Sequence, residues 1–307
     1  MIYVKPLVVQ LSGIMAEDFS PVCGEEILHV SNLSVNRSGN EIISDINMSI
    51  TCGEFVGIVG PNGGGKSTLI LTILGLLKPR TGSVNVYGKT PMSNATLGRI
   101  GWVPQAATEL PHNLRITVKE FIQLGLLSSS FLRQHLDFFI SPTVFFKRRK
   151  KNQLKVEKII ETVGLNQYAN TMISNLSGGQ RQRAAIGKAL ASEADFLLMD
   201  EPMVGVDLES RNSIMRLLDN LCHNQNKTIV MVSHDLASMK RTVHRMIYLE
   251  HEIRYDGTTE DFPDLSSLAE LRGIEPTHSE ADSTKSDVTK SDDVVIIVSP
   301  GAEGGES

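Results

Sequence analysis

The sequence predicts an α/β fold built on a parallel sheet covered by helices, and three observations carry that reading. Short runs of apolar, β-prone residues recur at Phe55-Val-Gly-Ile-Val59, Phe196-Leu-Leu-Met199 and Thr228-Ile-Val-Met-Val232. Each run is apolar at every position or nearly so, as expected of strands buried on both faces. Helical stretches lie between them, supplying the long crossovers that parallel pairing requires.

In chain order, residues 67–77 follow the first run with helical spacing. Residues 118–191 read as mostly helical, with charged and apolar residues mixed and a basic run at Lys147-Arg-Arg-Lys-Lys151. That block is expected to be a helical insertion in the α/β core. The folded domain is expected over 27–262, preceded by an extension at 1–26 and followed by a tail at 263–307. From about residue 276 the tail has no aromatic residue, repeats Thr-Lys-Ser-Asp at 284–287 and 289–292, and ends rich in glycine. Such a segment buries too little apolar surface to offset its chain entropy, so it reads as disordered. Within it, Val294-Val-Ile-Ile-Val298 has the composition of a strand that can add to a sheet edge.

Composition bounds the function. The chain has 307 residues, 41% hydrophobic and 21% charged, which is ordinary globular usage with ample length for a core. The net charge of −5 is a property of the tail: residues 275–307 hold eight acids against two lysines, leaving the remainder close to neutral. No nucleic-acid partner is expected. Cys23, Cys52 and Cys222 are too few and too scattered for a disulfide framework or a cysteine metal site. No stretch approaches the ~18–20 apolar residues needed to cross a bilayer. Leu7-Val-Val-Gln-Leu11 faintly resembles a leader but is short and interrupted by Gln10. The expected compartment is reducing.

The chemistry begins directly after the first apolar run, at Gly60-Pro61-Asn62-Gly63-Gly64-Gly65-Lys66-Ser67-Thr68. Two glycines flanking four residues, then Lys and Ser, is the pattern of a phosphate-binding loop. Glycines let backbone N–H groups curl around phosphate oxygens, the following helix directs its positive end at them, and the lysine reaches the outer phosphates. The Ser67 hydroxyl is placed to ligate Mg²⁺. At Phe196-Leu-Leu-Met-Asp200-Glu201 an apolar strand ends in two carboxylates. Asp200 is read as part of the metal shell and Glu201 as the general base that polarises an attacking water. Leu176-Ser177-Gly178-Gly179-Gln180 opens a strongly helical run, where a hydroxyl and exposed N–H groups can hold a second anion or simply cap the helix.

Taken together, these residues resemble the nucleotide-binding subunit of an ATP-binding cassette (ABC) transporter over roughly 27–262. The order is the loop 60–67, Gln105 in Trp-Val-Pro-Gln, the signature 176–180, Asp200-Glu201, Asp207, and His234 in Val-Ser-His-Asp. The resemblance implies a phosphate-loop NTPase core with a parallel sheet, an antiparallel β subdomain, and a helical subdomain at about 115–190. It implies ATP and Mg²⁺ as cofactors and a homodimer in which Ser177 and Gly179 clamp the γ-phosphate held by the opposite subunit. Gln105 resembles the lid glutamine that senses Mg²⁺ and water, Asp207 the acid linking the subunits, and His234 the switch contacting the γ-phosphate. Separate transmembrane permease subunits, an extracytoplasmic solute-binding protein and a peripheral position on the cytoplasmic face of the inner membrane follow from the same likeness. The dock is implied near Gln105 and residues 111–126, where Ile116, Val118, Phe121 and Ile122 suit either the contact or the insertion's own core.

One position departs from the family. An aromatic residue usually stacks on adenine after the first strand; here Val35-Asn-Arg37-Ser-Gly39 has none. Arg37 falls nearest the slot and is expected to stack in its place. In texture, residues 99–105, 201–207, 231–236 and 247–251 are most similar to the zinc, manganese and iron importer subgroup. Import of another small solute, a soluble ATPase of iron–sulfur assembly, and a mechanical ATPase acting on a membrane partner are the alternatives. His244 and His251 are read as structural or surface residues.

Overall fold

The computed structural model describes residues 24–93, 96, 98–105, 115–127 and 142–263, the side chains of 142–148 and 237 excepted. The elements formed by the described residues lie in the first of two units, Met1–Phe262 and Pro263–Ser307. Residues 1–23, the run at 294–298 and the disorder expected from about 276 fall outside the described residues, as do Lys147 and Arg148 in their side chains.

Two sheets form the core. A six-stranded sheet has the order β5-β6-β7-β3-β8-β9, and a three-stranded sheet has the order β2-β1-β4. In the larger, β3 (Phe55–Val59), β5 (Ile100–Val103), β6 (Phe196–Asp200), β7 (Thr228–Val232) and β8 (Arg245–Glu250) run parallel, and β9 (Glu252–Thr258) returns antiparallel on β8. Every residue of β3, β6 and β7 is buried, which is why each reads as an unbroken apolar run. The smaller sheet, β1 (Glu26–Arg37), β2 (Asn40–Thr51) and β4 (Thr81–Val86), is antiparallel, as the family likeness implied. One apolar cluster spans both sheets: Val35, Ile43 and Ile46 join Ile58, Leu69, Ile73, Val230 and Ile247.

The helix after β3, α1, spans Lys66–Ile73 and is shorter than the periodicity predicts. Gly75 takes φ 75°, and the Leu76 N–H turns back to the Leu71 carbonyl at 2.9 Å. A left-handed glycine satisfies the last carbonyls and stops the helix there.

The insertion contains α2 (Val118–Gln123), α3 (Pro142–Thr162) and α4 (Gly178–Ala191), with turns and short 3-10 segments between the last two. A reciprocal Thr117–Glu120 capping box starts α2. Val118, Phe121 and Ile122 are buried, so these three belong to the insertion's own core. Arg149, Lys150 and Lys151 are exposed on α3. Two further helices cover the sheet, α5 (Leu208–Gln225) and α6 (Leu236–Lys240). No helix among the described residues is long and apolar enough to cross a membrane.

At the amino end of the sheet, His244 is tied to β3 in both directions. Its N–H donates to the Phe55 carbonyl at 2.8 Å, and its Nδ1 accepts the Phe55 N–H at 3.3 Å. Its Nε2 faces that of His223 at 3.2 Å. Burial, then the neighbouring His223, holds the His244 imidazole below its ordinary value of 6.5. Between the two values the unfolded chain binds a proton that the folded chain refuses, so stability falls as pH drops below about 6.5. Denaturant midpoints at pH 7.5 and 5.5 should show this loss in the native chain and a smaller one in His244→Gln; equal losses would place the dependence elsewhere.

Candidate nucleotide and catalytic site

Parallel pairing decides where the chemistry gathers. Val232 lies in register with both Ile58 and Asp200, and Val103 with Met199. The segments that leave β3, β5, β6 and β7 therefore emerge at one edge of the sheet, the carboxyl end, where open α/β sheets bind ligands. Gln105, Asp200-Glu201 and His234 all follow their strands there.

The loop leaving β3 holds a conformation open to glycine. Gly60, Gly63 and Gly65 take φ of 150°, 82° and 97°. Space is the second constraint: a Cβ on Gly60 would lie 2.0 Å from the Leu249 carbonyl oxygen, and one on Gly64 2.9 Å from the same atom. The end of β8 thus presses on the loop from behind. His251 fastens it, its N–H donating to the Gly64 carbonyl at 3.0 Å and its Nδ1 lying 2.9 Å from the Ile42 carbonyl of β2. Spacing and composition give His251 no part in the site. The only signal for it lies in its place directly after a buried strand.

Lys66 opens α1 and is buried. Its ammonium donates to the carbonyls of Gly60 and Pro61 at 2.9 and 2.8 Å, folding back across its own loop. Burial drives it below its ordinary value, opposed by Glu201 and then Asp200. Thr68 is buried and Ser67 exposed beside it.

Asp200 ends β6 with 8% exposure, and its Oδ1 is buried without a hydrogen-bond partner. Burial raises its pKa, while the Ser67 hydroxyl against the carboxylate works the other way. An orphaned carboxylate oxygen next to an available hydroxyl suits a small, hard divalent cation that keeps several of its waters. The next residue, Glu201, adopts φ 44°, unusual for a residue with a side chain, with its N–H bonded to the Val232 carbonyl at 3.0 Å. Its Oε2 lies 2.8 Å from Nδ1 of His234; the carboxylate is 14% exposed and the imidazole 65%. A carboxylate and an imidazole from two different strand ends thus meet in one chain. Gln105 is exposed beyond β5.

The remaining residues are arranged around helix starts. Ser177 caps α4, accepting the Gln180 N–H at 3.3 Å, while Gln180 Oε1 accepts the Ser177 N–H at 3.0 Å. Gly178 and Gly179 allow close packing, for a Cβ on the first would lie 2.7 Å from the Gly205 carbonyl oxygen and on the second 2.4 Å from Ser210 Cβ. Asp207 caps α5 through the Ser210 N–H at 2.9 Å, and that backbone bond, then the Ser210 side chain, lowers its pKa. Arg37 stands exposed where β1 turns into β2.

Gly60→Ala should weaken nucleotide binding about tenfold or more while far-UV circular dichroism stays native, since both φ and the Leu249 contact oppose a Cβ. Unchanged affinity would mean that the loop tolerates displacement from the β8 end.

Comparison with known proteins agrees with this geometry. Residues 43–204 match the family model described as ABC transporter. The chain is 31% identical over 254 residues to the zinc uptake system ATP-binding protein ZurA of Listeria monocytogenes, covering 81% of this chain and 94% of that one. It is 33% identical over 252 residues to the manganese transport system ATP-binding protein MntB of Bacillus subtilis, covering 80% and 92%. Among solved structures, a dimeric ATP-binding cassette in a post-hydrolysis state bound to ADP and Pi superposes with a TM-score of 0.59 at 27% identity, covering 77% and 100%. With the phosphate loop, the paired carboxylates and the histidine on one sheet edge, the chain belongs to the ABC transporter family as an ATP-binding, ATP-hydrolysing subunit.

Proposed function

We propose that this subunit powers import of a divalent metal ion, working as a homodimer on the cytoplasmic face of the membrane, docked on separate permease subunits and served by an extracytoplasmic solute-binding protein. One observation supports the catalytic part above others: the Glu201–His234 contact at 2.8 Å, set one residue beyond Asp200. The substrate class rests on relatives named for zinc uptake and manganese transport.

The residues have separable tasks in this reading. Lys66 and the N–H groups of the loop bind the β- and γ-phosphates, and the start of α1 adds its positive end. Ser67, Asp200 and Gln105 would hold Mg²⁺, which would supply positive charge against the phosphoryl oxygens. Glu201 takes a proton from water as it attacks, and His234 orients that carboxylate and meets the γ-phosphate. Ser177 and Gly179 close on the phosphate held by the second copy, and Asp207 links the copies. Arg37 stacks on the base.

Glu201→Gln removes the base and keeps the shape, so turnover should fall about 10²–10⁴-fold while ATP traps a closed dimer detectable by size-exclusion chromatography. Near-normal turnover would overturn the assignment. Arg37→Ala should weaken ATP binding in equilibrium titration, and unchanged affinity removes the stacking role. For the transport part, mild purification of the tagged chain from solubilised membranes should recover a stoichiometric multi-spanning partner. Flux of zinc or manganese through the reconstituted pair should require hydrolysis. Recovery with soluble partners alone would move iron–sulfur assembly to the front, and a membrane partner without flux would favour a mechanical role.

A further inference from the structure

Arg211 sits in the first turn of α5, four residues after Asp207, with a guanidinium that serves two segments. Its Nη1 pairs with Asp235 Oδ2 at 3.2 Å, and its Nη2 donates to the Val206 carbonyl at 3.1 Å. The pair is partly buried, at 31% and 25% side-chain exposure. Asp235 directly follows His234 and is fixed on its other sides as well. It accepts the Ser238 N–H at 3.1 Å and the Ser238 hydroxyl at 2.7 Å, and its own N–H donates to Ser233 Oγ at 3.0 Å. A shift of Val206 therefore reaches the histidine loop through one rigid, planar group.

The same turn of α5 receives the signature helix. Ser210 occupies the space opposite Gly179, where a Cβ would lie 2.5 Å from its Oγ. One turn further along α4, Arg183 donates to the Val163 carbonyl beyond α3 at 3.0 Å and to the Ser213 hydroxyl of α5. A chain of packed and hydrogen-bonded groups thus runs from the end of α3 through α4 and the start of α5 to Asp235, and from there to the His234–Glu201 pair.

We propose that Arg211 is a positioning residue that couples the signature helix and the Asp207 segment to His234. It touches no reacting atom; it sets where the imidazole stands relative to Glu201. The inference rests on the role given above to His234. A double-mutant cycle measures that coupling directly.

The test uses the full chain in its native complex, reading kcat, the KM for ATP and nucleotide affinity. Arg211→Ala should lower kcat about tenfold with KM and affinity within twofold, the mark of an interaction that counts in the transition state. Arg211→Lys should not restore kcat, because a single ammonium cannot reach both acceptors as the fork does. Asp235→Asn keeps an acceptor for the Ser238 N–H, guards against misfolding of the arginine variants, and should show the same split. In a His234→Ala background, Arg211→Ala should cost nothing more in single-turnover assays. An equal loss in that background, or a native kcat in Arg211→Ala, overturns the coupling while leaving the role of His234 intact. Native turnover in His234→Ala alone would overturn both.

Discussion

The phosphate loop and the end of β8 approach so closely that no side chain fits between them. Gly60 and Gly64 both lie under the Leu249 carbonyl, and His251 bonds from the next turn to Gly64 and to β2. The loop's curvature is thus imposed by a strand nearly two hundred residues away in sequence, before any ligand arrives. Preorganisation of this kind spares the binding step the entropy of ordering a glycine-rich segment. It also couples the small antiparallel sheet to the site, because β2 supplies Ile42 to His251 and Ile43 to the packing over Gly65.

Desolvation organises the charges above that loop. Lys66 is buried and bonded to carbonyls of its own loop, Asp200 is buried with one oxygen unpartnered, and each is pushed toward its neutral form. Polyanionic phosphates favour the charged lysine and a divalent cation favours the charged carboxylate, so each partner reverses the local cost of the other's burial. The Glu201–His234 pair sits at the margin of this region, the carboxylate sheltered and the imidazole largely open.

The legible parts of the sequence were those under the tightest local constraint. β3, β6 and β7 could be read because strands buried on both faces leave no polar position to confuse the pattern. β1 and β2 could not be read by alternation, since their pairing shifts register at several points and Asn32 and Asp45 take positive φ, breaking the period of two. After the loop, apolar spacing continues past Gly75 and predicts a longer helix, but backbone conformation and not hydrophobicity ends it there. Val118, Phe121 and Ile122 had two readings, and only their packing in the insertion separated core from surface.

By itself the sequence determined the chemical inventory: a glycine-rich loop ending in Lys66-Ser67, carboxylates at a strand end, and Ser177 before two glycines. These are local, because phosphate binding and helix capping are built from residues within a few positions of one another. Tertiary structure alone decided which of them meet. Parallel register brings Asp200 and His234 to one edge, the β8–β9 turn fixes the loop, and Arg211 joins Val206 to Asp235. Such contacts span tens to hundreds of residues, and they depend on packing geometry that no local pattern encodes.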